Sequence, residues 1–419
     1  MKKVTGWLMV GTLLAYLLSV AISSSLIFFA AVFAWLIFVL MWNDLGKSSR
    51  NQAIILIGGG VLALAYAAGN GVFLSFAEVL STNVPMLAMF AAVSFLALTT
   101  AETEEQTLPR GNLAIVTTAL GTNLLGAVIN LSVIFVFGDR MKRHGTLSRS
   151  QSKLLGRSFC AAAWWSPFFI ATGVALTYAP AMQWHRTIGP GILMTILAIA
   201  YSTIETALAK RQEFKGYPLK VESLIVPFTL AVAVLTLHFF FDDINTITLI
   251  CLVAPLGAFL FMTGRPRRTT LGDFIANRAY SVSSQFVLFL AAGVFSSGLK
   301  AITLVYPTVF NLEGMYFTPA LFAVISGILI LAGIIGVHPV VGIAVVSPLL
   351  LPLAPDPSQL GFLFLTSWAI STGSSPLSGV GLVLTSRYQV SPKHILQNNY
   401  HYAVVMWLLA CGMNMLFWG

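Results

Sequence analysis

Stretches of apolar residues long enough to cross a lipid bilayer recur throughout this sequence of 419 residues. A helix needs about 20 apolar residues to span a hydrocarbon core of about 30 Å. Only 9% of the residues are charged, whereas about a quarter are charged in soluble proteins. The sequence therefore predicts an all-α, polytopic membrane protein without a separate soluble domain. Ordinary spans are predicted over residues 6–21, 25–42, 53–69, 84–100, 191–209, 224–240, 248–264, 286–303 and 400–418.

Four further apolar segments contain residues that interrupt helices. Residues 113–138 and 321–354 each have a Gly-rich break in the middle, and residues 154–180 and 361–386 are each broken at a Ser-Pro pair. Unpaired backbone groups are costly in lipid, so such breaks are tolerated only where protein buries them or where they line a wet cavity. The four breaks therefore predict a shared polar pocket inside the protein.

The distribution of basic residues predicts the topology. Suppose that residues 113–138 enter and leave on the cytoplasmic side, and residues 321–354 on the outer side. All of the 23 Lys and Arg residues except Arg186 and Lys300 then face the cytoplasm, as the positive-inside rule requires. Both segments are thus predicted to be re-entrant hairpins of opposite orientation, with arms of about 10–16 residues, beside about 11 transmembrane helices. This topology also explains the net charge of +9 without a nucleic-acid partner. It predicts a protein of a bacterial-type inner membrane whose N-terminus lies on the cytoplasmic side.

The two halves of the chain carry their interruptions at corresponding places. The sequence "GTNLLG" at 121–126 corresponds to "GVHPVVG" at 336–342, and "SPFFIATGVAL" from Ser166 corresponds to "SPLSGVGLVL" from Ser375. The offsets are 215 and 209 residues. Paired interruptions in two halves indicate the binding site of a transporter, and we therefore predict an inverted repeat. The predicted halves are residues 1–223 and 224–419.

The residues at the breaks predict a site for a small anion and a coupling cation. Half-helix N-termini direct N–H groups at an anion, and unwound carbonyls offer oxygen ligands to Na⁺. His338 is the only ionisable side chain at a break, and it would bind substrate, relay a proton or cap a helix. The substrate-binding candidates are Thr122, Asn123, Ser166, Pro167, His338, Ser374, Ser375 and Pro376. The Na⁺ candidates are Gly121, Asn123, Gly126, Thr172, Gly336, Thr372, Gly373 and Ser378.

The stretch "GVHPVVGIAVVSPLLLPLAPDPSQLGFLFLTSWAISTGSSPLSGVGLVL" resembles the second half of the ion transporter superfamily. This superfamily includes the divalent anion/sodium symporters and the large membrane subunits of TRAP transporters. The first half shows the same pattern from about Leu113 to Leu176. The resemblance implies an elevator-type secondary transporter, usually a homodimer, that moves small carboxylates or other anions with Na⁺. It also implies that residues 121–123 and 336–338 stand in for the Ser-Asn-Thr motifs at the hairpin tips of the symporters.

The leading hypothesis is a secondary active transporter of a small organic anion, a di- or other carboxylate, coupled to Na⁺ or H⁺. Apart from the coupling ion no cofactor is predicted, and the predicted partners are the anion, the lipid bilayer and a second copy of the chain. Two alternatives remain open. A membrane-embedded enzyme would pair His338 with Ser375, although no HExxH motif is present. The other alternative is a channel, or an export component that acts on an envelope lipid or polymer.

Overall fold

The computed structural model describes residues 2–99, 108–142, 145–209, 214–217, 222–241, 243–262, 266–279, 283–309 and 316–419. These residues form an all-α protein, in which Arg110 and Lys215 make an isolated β-bridge. The helices are α1 (Lys2–Ala21), α2 (Ile27–Met41), α3 (Lys47–Gly69), α4 (Phe76–Ser81), α5 (Val84–Ser94), α6 (Gly111–Ile129), α7 (Ser132–Met141), α8 (Arg149–Ala161), α9 (Ile170–Tyr178), α10 (Trp184–Leu208), α11 (Glu222–Phe240), α12 (Thr246–Phe261), α13 (Arg267–Asp273), α14 (Ser283–Val305), α15 (Pro319–Ile334), α16 (Pro339–Leu350), α17 (Pro357–Ser374), α18 (Gly379–Ser386) and α19 (Pro392–Trp418).

Each ordinary span predicted from the sequence coincides with helical structure except at Ala209 and Met262, which lie just past helix ends. Residues 100 and 263–264 lie outside the described part of the chain. In the described part, eight helical stretches are long and apolar enough to cross a membrane, so the chain is a multi-pass membrane protein. They are Lys2–Ala21, Ser24–Asp44, Lys47–Gly69, Phe76–Thr99, Gly111–Ile129, Trp184–Leu208, Gln285–Val305 and Pro392–Trp418. The shorter apolar helices are Phe228–Phe240, Thr246–Phe261, Pro319–Ile334 and Pro339–Leu353.

The chain divides into two compact units, and each unit takes segments from both halves of the sequence. Unit 1 comprises Met1–Thr99, Thr236–Phe317 and Val340–Pro355. Unit 2 comprises Thr100–Leu235, Thr318–Pro339 and Asp356–Gly419. Unit 2 therefore contains all four interruptions. Most of α16, the helix that follows the Gly-rich break within residues 321–354, belongs to unit 1.

Unit 1 contains a helix crossing built on small residues. Gly60 of α3 lies against the backbone of Val294 and Phe295 in α14, where a methyl group would meet backbone atoms at 2.7–2.8 Å. Gly298 of α14 lies in turn against the backbone of Gly60. Small residues at such crossings let membrane helices approach closely and gain van der Waals contact. The glycines of α3 and α14 therefore hold this part of unit 1 together.

Helix α17 is the central helix of unit 2. All of its 18 residues except Pro357 and Thr372 are buried, and it packs against α8, α9, α10, α15 and α19. The carboxylate of Asp356 caps its N-terminus by accepting hydrogen bonds from the backbone N–H groups of Ser358 and Gln359, at 2.8 and 3.1 Å. A side-chain cap of this kind supplies acceptors for N–H groups that have no partner within the helix.

The first interrupted segment differs from its prediction. Helix α6 runs without a break from Gly111 to Ile129, so the prediction of a hairpin tip at residues 121–126 was wrong. This arm has 19 residues rather than the predicted 10–16. The helix continues because it contains no proline and because water does not compete for its backbone hydrogen bonds inside a membrane protein. The Thr122 hydroxyl is satisfied within the helix, where it donates to the carbonyl of Thr118 at 2.7 Å. The chain breaks instead at Asn130.

The other three breaks lie where the sequence predicts them. Between α15 and α16 the chain leaves the helix at residues 335–338, and Gly336 takes a φ of 108° that favours glycine. The first broken helix comprises α8 with its 3-10 continuation to Trp164, and then α9. The second comprises α17 and α18. The prediction of breaks at both Ser-Pro pairs is confirmed.

The crossing of α10 with the first broken helix predicts that two glycines of α10 differ in how well they tolerate an added methyl group. A methyl group on Gly191 would collide with the backbone carbonyl of Trp164, whereas one on Gly189 would meet only the ring of Phe417 at 3.5 Å. We expect Gly191→Ala to lower the free energy of unfolding by about 1–3 kcal/mol, because backbone atoms cannot move aside as a side chain can. Thermal unfolding of the purified protein in detergent measures the effect. Gly189→Ala is the control, and an equal loss of Tm there would contradict the packing argument.

Candidate functional site

The first broken helix turns at Ser166-Pro167, and the Ser166 hydroxyl supplies hydrogen bonds that the helix has lost. Its Oγ donates to the carbonyl of Ala127 near the end of α6 at 2.5 Å and accepts from the N–H of Phe168 at 3.2 Å. The carbonyl of Ser166 accepts from the hydroxyl of Thr172 in α9 at 2.6 Å. Backbone groups that the proline would otherwise leave unpaired are thereby satisfied.

The same arrangement occurs at Ser375-Pro376. Ser375 Oγ donates to the carbonyl of Ile334, the last residue of α15, at 3.0 Å, and it accepts from the N–H of Leu377 at 3.2 Å. The carbonyl of Ser375 accepts from the hydroxyl of Ser378 at 2.9 Å. In both turns, a serine hydroxyl joins the broken helix to the helix that precedes a hairpin tip.

These matching bonds define the register between the two halves of the sequence. Ser166 and Ser375 are 209 residues apart, and their acceptors Ala127 and Ile334 are 207 residues apart. The offset of 215 residues predicted for the hairpin tips was wrong, because residues 121–126 lie inside α6. The two tips therefore do not carry equivalent three-residue motifs at residues 121–123 and 336–338.

The tips at Asn130, between α6 and α7, and at residues 335–338, between α15 and α16, each lie against the turn of the broken helix that follows. Helix α15 belongs to unit 2 and most of α16 to unit 1, so a hairpin over residues 321–354 stays a prediction. Asn130 has a φ of 51° and a ψ of −137°, a conformation that costs a residue other than glycine about 1–3 kcal/mol. Its Nδ2 donates to the carbonyl of Phe168 at 3.2 Å. At the second tip, a methyl group on Gly336 would meet the side chain of Leu377 at 2.6 Å. Phe168 and Leu377 each follow the proline of a Ser-Pro pair, so the two tips make equivalent contacts.

The two broken helices pack on each other within unit 2. The indole N–H of Trp164 donates to the hydroxyl of Thr366 at 3.2 Å. A methyl group on Gly373 would meet the Cβ of Cys160 at 3.3 Å. Because Trp164 follows Cys160 whereas Thr366 precedes Gly373, the two helices run antiparallel here. The four breaks are therefore joined in one packed unit, each tip to its own turn and each broken helix to the other.

Several predicted ligands on α6 already have protein partners or lie within the helix. The Nδ2 of Asn123 donates to the carbonyl of Ser158 at 2.9 Å, and its Oδ1 accepts from the indole N–H of Trp165 at 3.2 Å. The other predicted ligands on α6 are Gly121, Thr122 and Gly126, which are all buried. Asn123 and Gly126, which lies against the ring of Phe159, hold α6 against α8, and the role of all four residues as ligands stays a prediction.

Three side-chain atoms at the breaks are buried without a hydrogen-bond partner. They are Oδ1 of Asn130, Oγ1 of Thr372 and Oγ of Ser374. An unpaired buried polar atom costs about 1–3 kcal/mol, so each such atom needs an explanation, and a bound ligand or ion is one of them. The sequence predicted Thr372 and Ser374 but missed Asn130. The signal that could have identified Asn130 is the preference of asparagine for a positive φ at the end of a helix.

His338 lies at the second tip, with its ring edge-on to the indole of Trp368 at a centroid distance of 5.4 Å. The hydroxyl hydrogen of Ser375 is directed to the carbonyl of Ile334, not to an imidazole that could activate it as a nucleophile. Within the described ranges, no group of three or more His, Cys, Asp or Glu residues is placed to hold a metal ion.

A charged cluster joins the end of α7 to the end of α18. Arg387 donates to both carboxylate oxygens of Asp139, at 3.1 and 2.7 Å. Tyr388 and Lys142 each donate to Oδ1 at 3.1 Å. The hydrogen bond from Arg387 has the largest effect on the pKa of Asp139. Together with Lys142 and Tyr388 it lowers this pKa, although partial burial of the carboxyl acts in the opposite direction. The cluster lies outside the predicted membrane spans and links the first hairpin to the second broken helix.

No protein-family model matches the chain, and no curated protein matches it either. Two solved structures to which it is similar are membrane transporters. The YdaH transporter of Alcanivorax borkumensis shares 14% identity over 91% of this chain and 86% of that chain, with a TM-score of 0.40. MtrF of Neisseria gonorrhoeae, from a class of antimetabolite efflux pumps, shares 11% identity over 92% of this chain and 83% of that chain, with a TM-score of 0.44. With TM-scores below 0.5, neither likeness decides the fold or the activity of this chain.

The matching turns predict that Ser166→Ala and Ser375→Ala have similar effects. Each change leaves a backbone carbonyl and a backbone N–H without the hydroxyl, so we expect the free energy of unfolding to fall by about 1–3 kcal/mol. Thermal unfolding in detergent measures both losses. The control is Ser386→Ala, which removes an exposed hydroxyl bonded only to Leu382. A loss at one turn and none at the other would contradict their equivalence.

The lowered pKa of Asp139 predicts a dependence of stability on pH. The ionised carboxylate stabilises the fold at pH values above its ordinary pKa of 3.8, and this stabilisation is lost as the pH falls through the lowered pKa. We expect Asp139→Asn to have a lower Tm than the wild type at pH 7, and the difference to shrink below about pH 4. Asp243→Asn, at an exposed position between α11 and α12, is the control. A difference for Asp139→Asn that stays constant down to pH 2 would exclude this role.

Proposed function

We propose that this protein is a secondary active transporter of a small organic anion, such as a di- or other carboxylate. The observation that carries the proposal is the repeated Ser-Pro turn, with its serine hydroxyl bonded to the helix before a hairpin tip. Transporters with internal repeats build their substrate sites from discontinuous helices in corresponding positions of the two halves. The matching bonds support an inverted repeat of residues 1–223 and 224–419, with re-entrant hairpins of opposite orientation.

Neutral groups at the breaks support an anionic substrate held by dipoles and hydrogen bonds. Helix α9 begins at Ile170 and α18 at Gly379, so each turn is followed by a helix N-terminus, which favours negative charge. The unpartnered hydroxyls of Thr372 and Ser374 are free to donate hydrogen bonds to a carboxylate. A site without a buried Arg or Lys releases an anion readily, as transport requires.

The coupling ion in this proposal is Na⁺ or H⁺, and the structure offers groups for each. Na⁺ takes oxygen ligands, and the unpartnered Oδ1 of Asn130 is a neutral oxygen near the first turn. H⁺ coupling would use His338, the ionisable side chain at the second tip.

Alternating access would occur by an elevator-like movement. Unit 2 is proposed as the moving unit because it contains all four breaks and is compact by itself. A homodimer in a bacterial-type inner membrane, with cytoplasmic N-termini, completes the proposal. The positive-inside distribution of Lys and Arg supports this orientation.

The proposal is tested first by a thermal-shift screen of organic acids with and without Na⁺. A transported acid raises the Tm because it binds the folded protein, and a dependence of this shift on Na⁺ or on pH identifies the coupling ion. Uptake of the acid is then measured in proteoliposomes under a Na⁺ gradient and under a proton gradient. Accumulation of no organic anion under either gradient would falsify the proposal.

Removal of two hydroxyls beside the second turn tests whether the anion binds there. Thr372→Val and Ser374→Ala remove hydroxyls that have no protein partner, so the Tm without ligand should stay the same or rise. A hydrogen bond to a charged group contributes about 1.5–3 kcal/mol, so the dissociation constant should increase about 10- to 100-fold for each variant. Calorimetric titration measures it. Ser386→Ala, with its exposed hydroxyl, is the matched control, and unchanged affinity in both variants would place the substrate elsewhere.

A further inference from the structure

A buried ionic cluster in unit 2 is not used by the proposed transport site. The side chain of Arg157 is 1% exposed, and its Nη1 donates to Oε2 of Glu205 at 2.5 Å. Its Nε donates to Oδ1 of Asn399 at 2.7 Å, and its Nη2 donates to the carbonyl of Asn398. Lys153 contacts the second oxygen of Glu205 at 2.8 Å. The side chain of Glu205 is 39% exposed and that of Lys153 is 9% exposed, so the cluster reaches the surface at its carboxylate. One carboxylate serves two cations, which leaves an excess of one positive charge.

The guanidinium of Arg157 is enclosed by aromatic rings and retains unused donors. It lies 4.4 Å from the ring centroid of Tyr402 and 5.6 Å from that of Tyr201. A guanidinium has five N–H groups, and the bonds to Glu205, Asn399 and Asn398 engage three of them. Two N–H groups therefore have no acceptor among the described residues.

Three hydroxyls on α10 and α19, the helices that bond Arg157 through Glu205 and Asn399, also have no partner. They belong to Ser202 and Thr206, one turn apart on α10, and to Tyr402 on α19. Ser202 is 0% exposed and Thr206 is 5% exposed. Thr195, on the same face of α10, donates to the carbonyl of Ala161 in α8 at 3.0 Å, so this face is directed towards α8. Helices α8, α10 and α19 all pack on one another.

Unused donors on Arg157 and on three hydroxyls, beside an excess of one positive charge, are the chemistry of an anion site. A buried donor without an acceptor is costly, and one bound anion supplies an acceptor to several donors at once. We propose that Arg157, Ser202, Thr206 and Tyr402 bind a small inorganic anion, chloride, between α8, α10 and α19. A monatomic ion suits the place because it accepts hydrogen bonds from any direction and needs little room among side chains that are almost wholly buried. This site is separate from the proposed transport site and does not depend on it.

The test compares thermal unfolding of the full-length protein in sodium chloride and in sodium gluconate, at equal sodium concentration and ionic strength. Chloride should raise the Tm along a saturating curve, since a ligand that binds only the folded state stabilises it by mass action. At a chloride concentration of about 100 times its dissociation constant, unfolding becomes about 100-fold less favourable. Equal Tm values in the two salts at all concentrations would overturn the proposal.

A double variant distinguishes ligands from passive hydroxyls. Ser202→Ala combined with Thr206→Val removes two hydroxyls without a protein partner, so the fold keeps all of its hydrogen bonds. We expect the midpoint of the chloride curve to move at least about ten-fold higher, as for the loss of one hydrogen bond to an ion. The control Thr203→Val removes a hydroxyl on the same helix that is bonded to Ile199 and Ala200, and its midpoint should stay unchanged.

Two further outcomes would also overturn the assignment. An unchanged midpoint in the double variant would show that the hydroxyls are not ligands. Loss of the chloride effect in Thr372→Val, with the effect retained in the double variant, would place chloride at the Ser-Pro turns instead. Gluconate is itself a carboxylate, so the chloride curve is measured again with sodium sulfate as the reference salt at equal ionic strength. A chloride effect found against both reference salts stands whether or not transport is found.

Discussion

The structure of unit 2 depends on the need to pair every backbone polar group inside a membrane protein. A proline in a helix removes one donor and frees a carbonyl, so a broken helix survives only where other groups replace these bonds. Ser166 and Ser375 do so with one hydroxyl each, which accepts from the N–H two residues later and donates to the end of another helix. The same atoms that permit each break thus also fix a hairpin tip beside it.

The two turns share their backbone bonding but differ in the side chains around them. By the offset of 209 residues, Thr372 and Ser374 correspond to Ala163 and Trp165 in the first half. The first half thus has a methyl group and an indole at these places, and the indole is bonded to Asn123. The second half has two hydroxyls without partners. The first turn is therefore used mainly for packing, and the second turn retains the polar groups available to a ligand.

The sequence predicts a break well when the break depends on residue types that cannot continue a helix. Ser166-Pro167 and Ser375-Pro376 lack a backbone donor, so both turns and the candidates Thr372 and Ser374 follow from the pattern. The first tip depends instead on the backbone of Asn130, which takes a positive φ without a neighbouring glycine or proline. The partners of Arg157 are 48 to 242 residues away in the chain, so no local spacing indicates the cluster that they form.

The burial of α17 on nearly all sides has a consequence for biogenesis. A helix that carries Ser358, Thr366, Ser367 and Ser371 on buried positions is a poor partner for lipid chains by itself. Its neighbours α15 and α19 precede and follow it in the chain, and Gln359 is bonded to Asn414 of α19 at 3.0 Å. We therefore expect the centre of unit 2 to close only after α19 has been synthesised, because α17 lacks part of its packing surface and the partner of Gln359 until then.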